Sequence, residues 1–241
     1  MTVPSALSVS AADPAGGLLA ADLLAFGALG VAGSGVVTAV TAGGLLSPGP
    51  SQEVPVVLLR AGLDAAFAAH RFAAVKVGVV PSAPAARAIA RALARLPAPR
   101  VLHPAFAPRS EVRLVRAAAV DSIVRDLFPG AALVVLGHGE ASALAGFPLQ
   151  EEADAKAAAR RIQSLGPSAV LVEGGGGAGG RIVDGLLDGR TWHRFDSDRF
   201  PTPPVDAAED RLSASVTALL AAGETLPDAV SRALALAASR G

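Results

Sequence analysis

The sequence predicts an α/β fold, and three observations carry that expectation. Strand-like and helix-like stretches alternate from the first residues onward. The strand-like ones are short apolar runs bounded by Gly, Pro or polar residues, while the helix-like ones place apolar residues three and four apart. The length of 241 residues suits one such domain, spanning 1–241, with enough chain to bury a sizeable core.

The opening unit, Ala6 to Ala42, holds a strand, a tight turn, a helix and a second strand. Ala6 to Ser10 alternates small and β-branched residues and stops at Asp13-Pro14-Ala15-Gly16-Gly17. There Pro restricts φ, and the glycine pair lets backbone approach a ligand or another element closely. Leu19, Leu23, Phe26 and Leu29 form one apolar helical stripe, Gly30 closes the helix, and Val36 to Val40 reads as the next strand. Asp22 stands out in mid-helix beside that stripe. It is either a carboxylate at the stripe's edge or a group reaching back toward the glycine turn to hold a ligand.

Further along, Gly43 to Gln52 reads as a loop, Val54 to Leu59 as an apolar run and Ala61 to His70 as a helix. Ala73 to Val80 is a buried strand with Lys76 inside it, and a buried amine requires a carboxylate partner. Pro84 to Leu96 is a helix opened by Ser82, and Arg100 to Pro108 a short strand ending in a loop around His103. Asp121 to Phe128 reads as a helix, Ala131 to Leu136 as a strand, Gly137 to Glu140 as a loop, and Gln150 to Leu165 as an amphipathic helix. Ser168 to Glu173 is a strand running into the glycine stretch Gly174 to Gly180, with Arg181 to Leu187 expected as a helix. Strand, glycine turn and helix together would offer bare amides to an anion. Gly174, Gly176 and Gly179 formally fit G-x-G-x-x-G, but so glycine-rich a run matches by chance, and the Gly-Lys-Ser/Thr of a Walker loop is absent. Trp192 to Phe195 is a short strand, and Leu212 to Leu220 and Pro227 to Leu236 are the last helices.

Composition narrows the class. Hydrophobic residues make up 51% and mean hydropathy is +0.47, much of it from Ala and Gly. No uninterrupted apolar run reaches the ~18 residues of a membrane span, and the opening residues lack the pattern of a secretory signal. The absence of cysteine excludes disulfides, thiolate metal sites and thiol nucleophiles. With 21 basic and 21 acidic residues there is no electrostatic footprint for nucleic acid. The expectation is a cytoplasmic protein that handles a small molecule, with neither a nucleic-acid nor a membrane partner.

The opening unit resembles the hydroxymethylpyrimidine and hydroxymethylpyrimidine-phosphate kinases of thiamine biosynthesis, in the ribokinase-like superfamily. Asp13, Pro14, Gly16, Gly17, Ala21, Asp22, Leu23, Phe26, Ala28, Leu29, Gly30, Gly33, Thr38, Ala39, Thr41 and Ala42 fall in step with that family, as do Lys76, Val77 and Gly78 in the later strand. The resemblance implies a three-layer α/β/α fold with a mostly parallel central sheet. It implies ATP-dependent phosphorylation of the pyrimidine, with ATP and Mg²⁺ as cofactors, no protein metal site, and a homodimer left open. By the same resemblance Ala11, Asp13, Gly16, Gly17, Asp22, Gly43 and Val79 bind substrate. Glu173, Gly174, Gly175 and Gly176 meet the nucleotide, and Asp210 is the general base. The other reading of Asp210 is a helix N-cap.

Several family positions differ here. Gly43 stands for Gln, His103 for Asp, Gly137-His138-Gly139 for Thr-Pro-Asn, Glu173 for the Lys that helps hold phosphate, and Ala207-Ala208-Glu209 for Gly-Thr-Gly. An acid at either of the last two sites opposes a triphosphate by on the order of 1 kcal/mol or more. These changes imply an alternative, a degenerate relative that keeps the fold and a small-molecule pocket but is weak or inactive in catalysis. Over a short stretch, Val170 to Gly176 also resembles the reductase domain of riboflavin biosynthesis.

Overall fold

The computed structural model describes residues 3–43, 49–106, 115–176, 182–197 and 208–238. Its centre is the opening unit read above: β1 (Ser5–Ala12), α1 (Leu19–Ala28) and β2 (Ala32–Thr41), with β1 and β2 parallel and Ser5 beside Ala32. α1 ends where Gly30 takes φ +73°, a conformation that costs glycine little. Next come β3 (Ser51–Glu53), α2 (Val56–Ala69), β4 (Ala74–Val77), α3 (Ala83–Leu93), β5 (Arg100–Leu102), α4 (Ala117–Asp126) and β6 (Leu133–Gly137). α5 (His138–Ala145), α6 (Glu152–Gln163), β7 (Ala169–Gly176), β8 (Ile182–Asp188), β9 (Thr191–Ser197), α7 (Ala208–Ala221) and α8 (Leu226–Ala238) complete the chain.

The strands form one sheet in the order β3-β2-β1-β4-β5-β6-β7-β8-β9. β1, β2 and β4 to β7 are parallel, and β3, β8 and β9 run antiparallel to their neighbours. Side chains alternate between the two faces, which builds the layers. Val101, Leu133, Val135, Ala169, Leu171 and Leu186 pack with α7 and α8, and Ala6 and Ala74 pack with Phe26 of α1 and Ala214 and Ala218 of α7. Leu7, Val9, Val75, Val77, Leu102, Val134 and Val170 face α2 to α6 on the other side. The expected three-layer α/β/α architecture with a mostly parallel sheet is therefore observed.

Four local expectations need correction. Residues 182–188 form a strand, not the helix expected over Arg181 to Leu187. They pair with β7 on one side and β9 on the other, and this long-range ladder overrides the local helical pattern. Gly137 to Glu140 is not a loop: α5 begins at His138, where the Glu140 carboxylate accepts the N–H of Gly137 at 3.1 Å and supplies one of the bonds a helix start lacks. The apolar run from Val54 and the helix from Ala61 merge, since α2 already starts at Val56. The loop of Gly43 to Gln52 ends in the short strand β3, where Gln52 pairs with Val40. Ser82 opens α3 as expected, its Oγ accepting the N–H of Ala85 at 3.3 Å.

β8 and β9 are held to α6 by Trp192, whose Nε1–H donates to Glu152 Oε1 at 2.8 Å, and by Arg194, which also binds Glu152. These partners, the Trp192 bond first, hold the Glu152 carboxyl below its ordinary range. The Trp192 ring lies over Gly185, so close that a methyl group there would stand 2.1 Å from it. Gly185→Ala is expected to lower unfolding free energy by about 1–3 kcal/mol. Urea denaturation followed by far-UV circular dichroism checks this, and an unchanged midpoint would show that the ring moves aside freely.

Candidate active site

All six parallel strands end on one edge, and the order of strands reverses between β1 and β4. In an open α/β sheet this switch point leaves a crevice at the carboxyl ends, the usual place for a ligand. β1 leads there into the Asp13–Gly17 turn. The Asp13 carboxylate accepts the N–H groups of Gly17 at 3.0 and 3.1 Å and of Leu18 at 2.8 Å, and Gly16 takes φ +74°. The turn is held by its own acid, which also places negative charge at the start of α1.

Opposite this turn, β4 runs into Gly78 and Val79. A side chain at residue 78 would stand 2.4 Å from Ser10 Oγ, so glycine lets β1 and β4 approach at the crevice. Val79 donates its N–H to Ser10 Oγ at 3.3 Å, and its carbonyl accepts from Thr38 Oγ1 at 2.7 Å. Gly43, beyond β2, is tied back to Thr41, whose Oγ1 donates to its carbonyl at 3.1 Å. Ala11 is fully buried beside them. Ser10 was not singled out in the sequence and Thr38 only as one of the residues in step with the family, because small and β-branched residues in a strand carry no signal of what they face.

Below the crevice lies a buried ion pair. Asp22 in α1 is fully buried. Its Oδ2 accepts from Ser8 Oγ at 2.5 Å, and its Oδ1 pairs with Lys76 Nζ. Ser8 and Lys76 are register partners on β1 and β4, so one carboxylate bridges both strands from the helix above them. The expected carboxylate partner of Lys76 is thus Asp22. Asp22 itself is neither at the stripe's edge nor solvent-facing.

On the other side of the switch point, β6 and β7 end side by side, Gly137 opposite Glu173. Glu173 is buried. Gly174 has φ +75°, and its N–H donates to Asp184 Oδ1 at 2.9 Å. The amide of Gly174 is therefore taken by a side chain, and no helix N-terminus follows the glycines, which corrects the expected strand–turn–helix anion site; residues 177–181 lie outside the described ones. An acid inside the apolar stretch Ile182 to Leu187 was the available signal for Asp184, of the same kind that marked Lys76.

α7 brings its first turns over this edge. His103, buried at the end of β5, lies with Nδ1 3.4 Å from Ser213 Oγ, and Thr217 Oγ1 donates to the Ser213 carbonyl at 2.8 Å. Two residues past His103, Ala105 holds φ +48°, a strained conformation for a residue with a side chain. α7 starts at Ala208, so Asp210 belongs to its first turn rather than preceding it as an N-cap; the side chains of Glu209 and Asp210 lie outside the described residues.

A family model for phosphomethylpyrimidine kinase matches residues 13–239. The chain belongs to that family. The hydroxymethylpyrimidine/phosphomethylpyrimidine kinase of Rhizobium meliloti (strain 1021) is 35% identical over 232 residues, 95% of this chain and 87% of that one. Among solved structures, phosphomethylpyrimidine kinase from Clostridium difficile 630 has a TM-score of 0.85 at 26% identity and covers 98% of both chains. Bacillus subtilis pyridoxal kinase, solved as an ADP complex, has a TM-score of 0.86 at 26% identity over 96% of this chain and 89% of that one. The phosphomethylpyrimidine kinase family is one of phosphotransferases, so the chain is a member of an enzyme family. The match takes in Val170 to Gly176, the stretch with the short likeness to a reductase domain, and puts it in the kinase family.

The buried pair gives a direct test. Lys76→Met leaves the Asp22 carboxylate buried without its cation and is expected to cost about 3–5 kcal/mol of stability, with Asp22→Asn/Lys76→Met recovering much of it. A double-mutant cycle from chemical denaturation checks this, and additive losses would show that the two groups do not stabilise each other.

Proposed function

We propose that this chain transfers the terminal phosphoryl group of ATP to the hydroxymethyl oxygen of hydroxymethylpyrimidine and to the phosphate of its monophosphate, as a thiamine-biosynthetic kinase in one domain. The observation that carries the proposal is the family match across 13–239, a range that takes in the glycine turn, the strand ends at the switch point and α7. In this reading the pyrimidine lies against Ala11, the Asp13–Gly17 turn, Gly43 and Val79, with the Asp22–Lys76 pair beneath. The nucleotide runs along Glu173 to Gly176. Asp210 takes the proton from the attacking hydroxyl, and the first amides of α7 face the charge that builds on the phosphoryl group.

In this reading Mg²⁺ arrives on the triphosphate as part of the substrate. The buried Glu173 carboxylate, where the family has lysine, opposes that triphosphate. The relatives lend no particular support to an inactive protein, and the altered positions predict weak nucleotide binding rather than none. A cytoplasmic location and a homodimer accompany the proposal. Sedimentation equilibrium checks the dimer, and a species of monomer mass at all concentrations would reject it.

Incubation with hydroxymethylpyrimidine and Mg-ATP is expected to yield the monophosphate and then the diphosphate, with Asp210→Asn lowering kcat by about 10²–10⁴-fold. Glu173→Lys is expected to tighten Mg-ATP by about tenfold in calorimetric titration. No phosphorylated pyrimidine from the wild-type protein would overturn the proposal in favour of the degenerate relative.

A further inference from the structure

Asp184 is fully buried, on a strand whose neighbours are apolar. A buried carboxylate is costly, so its place in the fold asks for a reason. Along the β7–β8 ladder Val172 lies opposite Gly185 and Gly175 opposite Val183, which leaves Glu173 and Gly174 together facing the single residue Asp184. This two-against-one arrangement is a β-bulge, a device that bends a strand and re-aims its groups near active sites. Gly174 reaches its left-handed φ of +75° there, and its N–H, turned out of the regular ladder, is caught by Asp184 Oδ1 at 2.9 Å.

The bulge sits where β7 outgrows its neighbour. β6 stops at Gly137, opposite Glu173, whereas β7 continues to Gly176. Past the bulge Gly175 and Gly176 pair with Val183 and Ile182, beyond the last β6 partner among the described residues. In an antiparallel ladder the backbone groups not used for pairing face the other way, here toward the open edge above β6. The bulge therefore sets how far and at what angle the backbone groups of this stretch that are not used by β8 turn toward that edge.

We propose that Asp184 is a positioning residue for nucleotide binding: by holding the Gly174 N–H it sets the bulge that presents the Gly175–Gly176 backbone to the phosphates of ATP. The proposal rests on the kinase reading above. Asp184 touches neither substrate nor the reacting atoms; it acts through the backbone of β7.

The test compares Asp184→Ala, Asp184→Asn and Gly174→Ala in steady-state kinetics against ATP and against the pyrimidine, with Mg-ATP titration calorimetry and thermal unfolding alongside. Asp184→Ala is expected to raise KM for ATP about tenfold or more and to leave KM for the pyrimidine within about twofold. Asp184→Asn keeps an oxygen acceptor for Gly174 and is expected to stay within about threefold of wild type for ATP, or to improve on it. Gly174→Ala strains the same bulge by its φ alone, since no atom lies within 4 Å of the added methyl, and is expected to show the same ATP-selective loss. Equal shifts in both KM values, an Asn variant as poor as the Ala variant, or an unaltered Ala variant would each overturn the positioning role while leaving the kinase reading in place. A wild-type protein that binds no Mg-ATP would remove the kinase reading itself, and this role with it.

Discussion

The contact on which the site most depends is the buried pair between Asp22 and Lys76, joined by Ser8. Each charge alone would be intolerable at this depth, so the two must meet, and the meeting constrains three elements at once. α1 is locked over β1 and β4 at a set height. The turn that precedes α1, with Asp13 gathering the amides of Gly17 and Leu18, is thereby placed beside Gly78 and Val79 at the end of β4. An apolar contact of the same area would hold the layers together but would tolerate sliding. A paired carboxylate and ammonium tolerate little, because a small slip leaves both desolvated and unpaired.

Polar groups are spent inside the crevice in a consistent way. Asp13 holds its own turn, Ser10 and Thr38 hold the two backbone groups of Val79, Thr41 holds Gly43, and Glu140 holds Gly137. Each is a side chain satisfying backbone at a strand end or in the turn just beyond it, where the ladder has run out and donors and acceptors would otherwise be orphaned. The carboxyl edge of the sheet is thus braced before any ligand arrives, which is the preorganisation a phosphoryl transferase draws on when its chemistry is mostly positioning.

The acids around the end of β7 run against that pattern. Glu173 at the end of β7 and Asp184 beside it on β8 are both buried, and Glu209 follows in the first turn of α7; the resemblance implies lysine for Glu173 and glycine for Glu209. Asp184 has a structural explanation in the Gly174 bulge. Glu173 stands opposite Gly137 at the end of the parallel ladder, and the fold keeps its layers and its strand order with an acid at that position.

Local chemistry alone disclosed a good part of this protein: the opening strand–turn–helix–strand unit, the Ser82 cap, the helix stop at Gly30 and the need of Lys76 for an acid are all consequences of neighbours within one turn or one strand. The family motif around Asp13 to Ala42 carried the layers and the class of chemistry. Tertiary structure decided the rest, because the deciding partners are distant in the chain. Residues 182–188 read as helix until β7 and β9 claim them on both sides, His138 starts a helix only because β6 ends there, and Asp22 reveals its partner only when β4, 54 residues later, lies beside β1. Pairing between strands and burial of charge are properties of the assembled sheet, and no window of local sequence contains both members of such a pair.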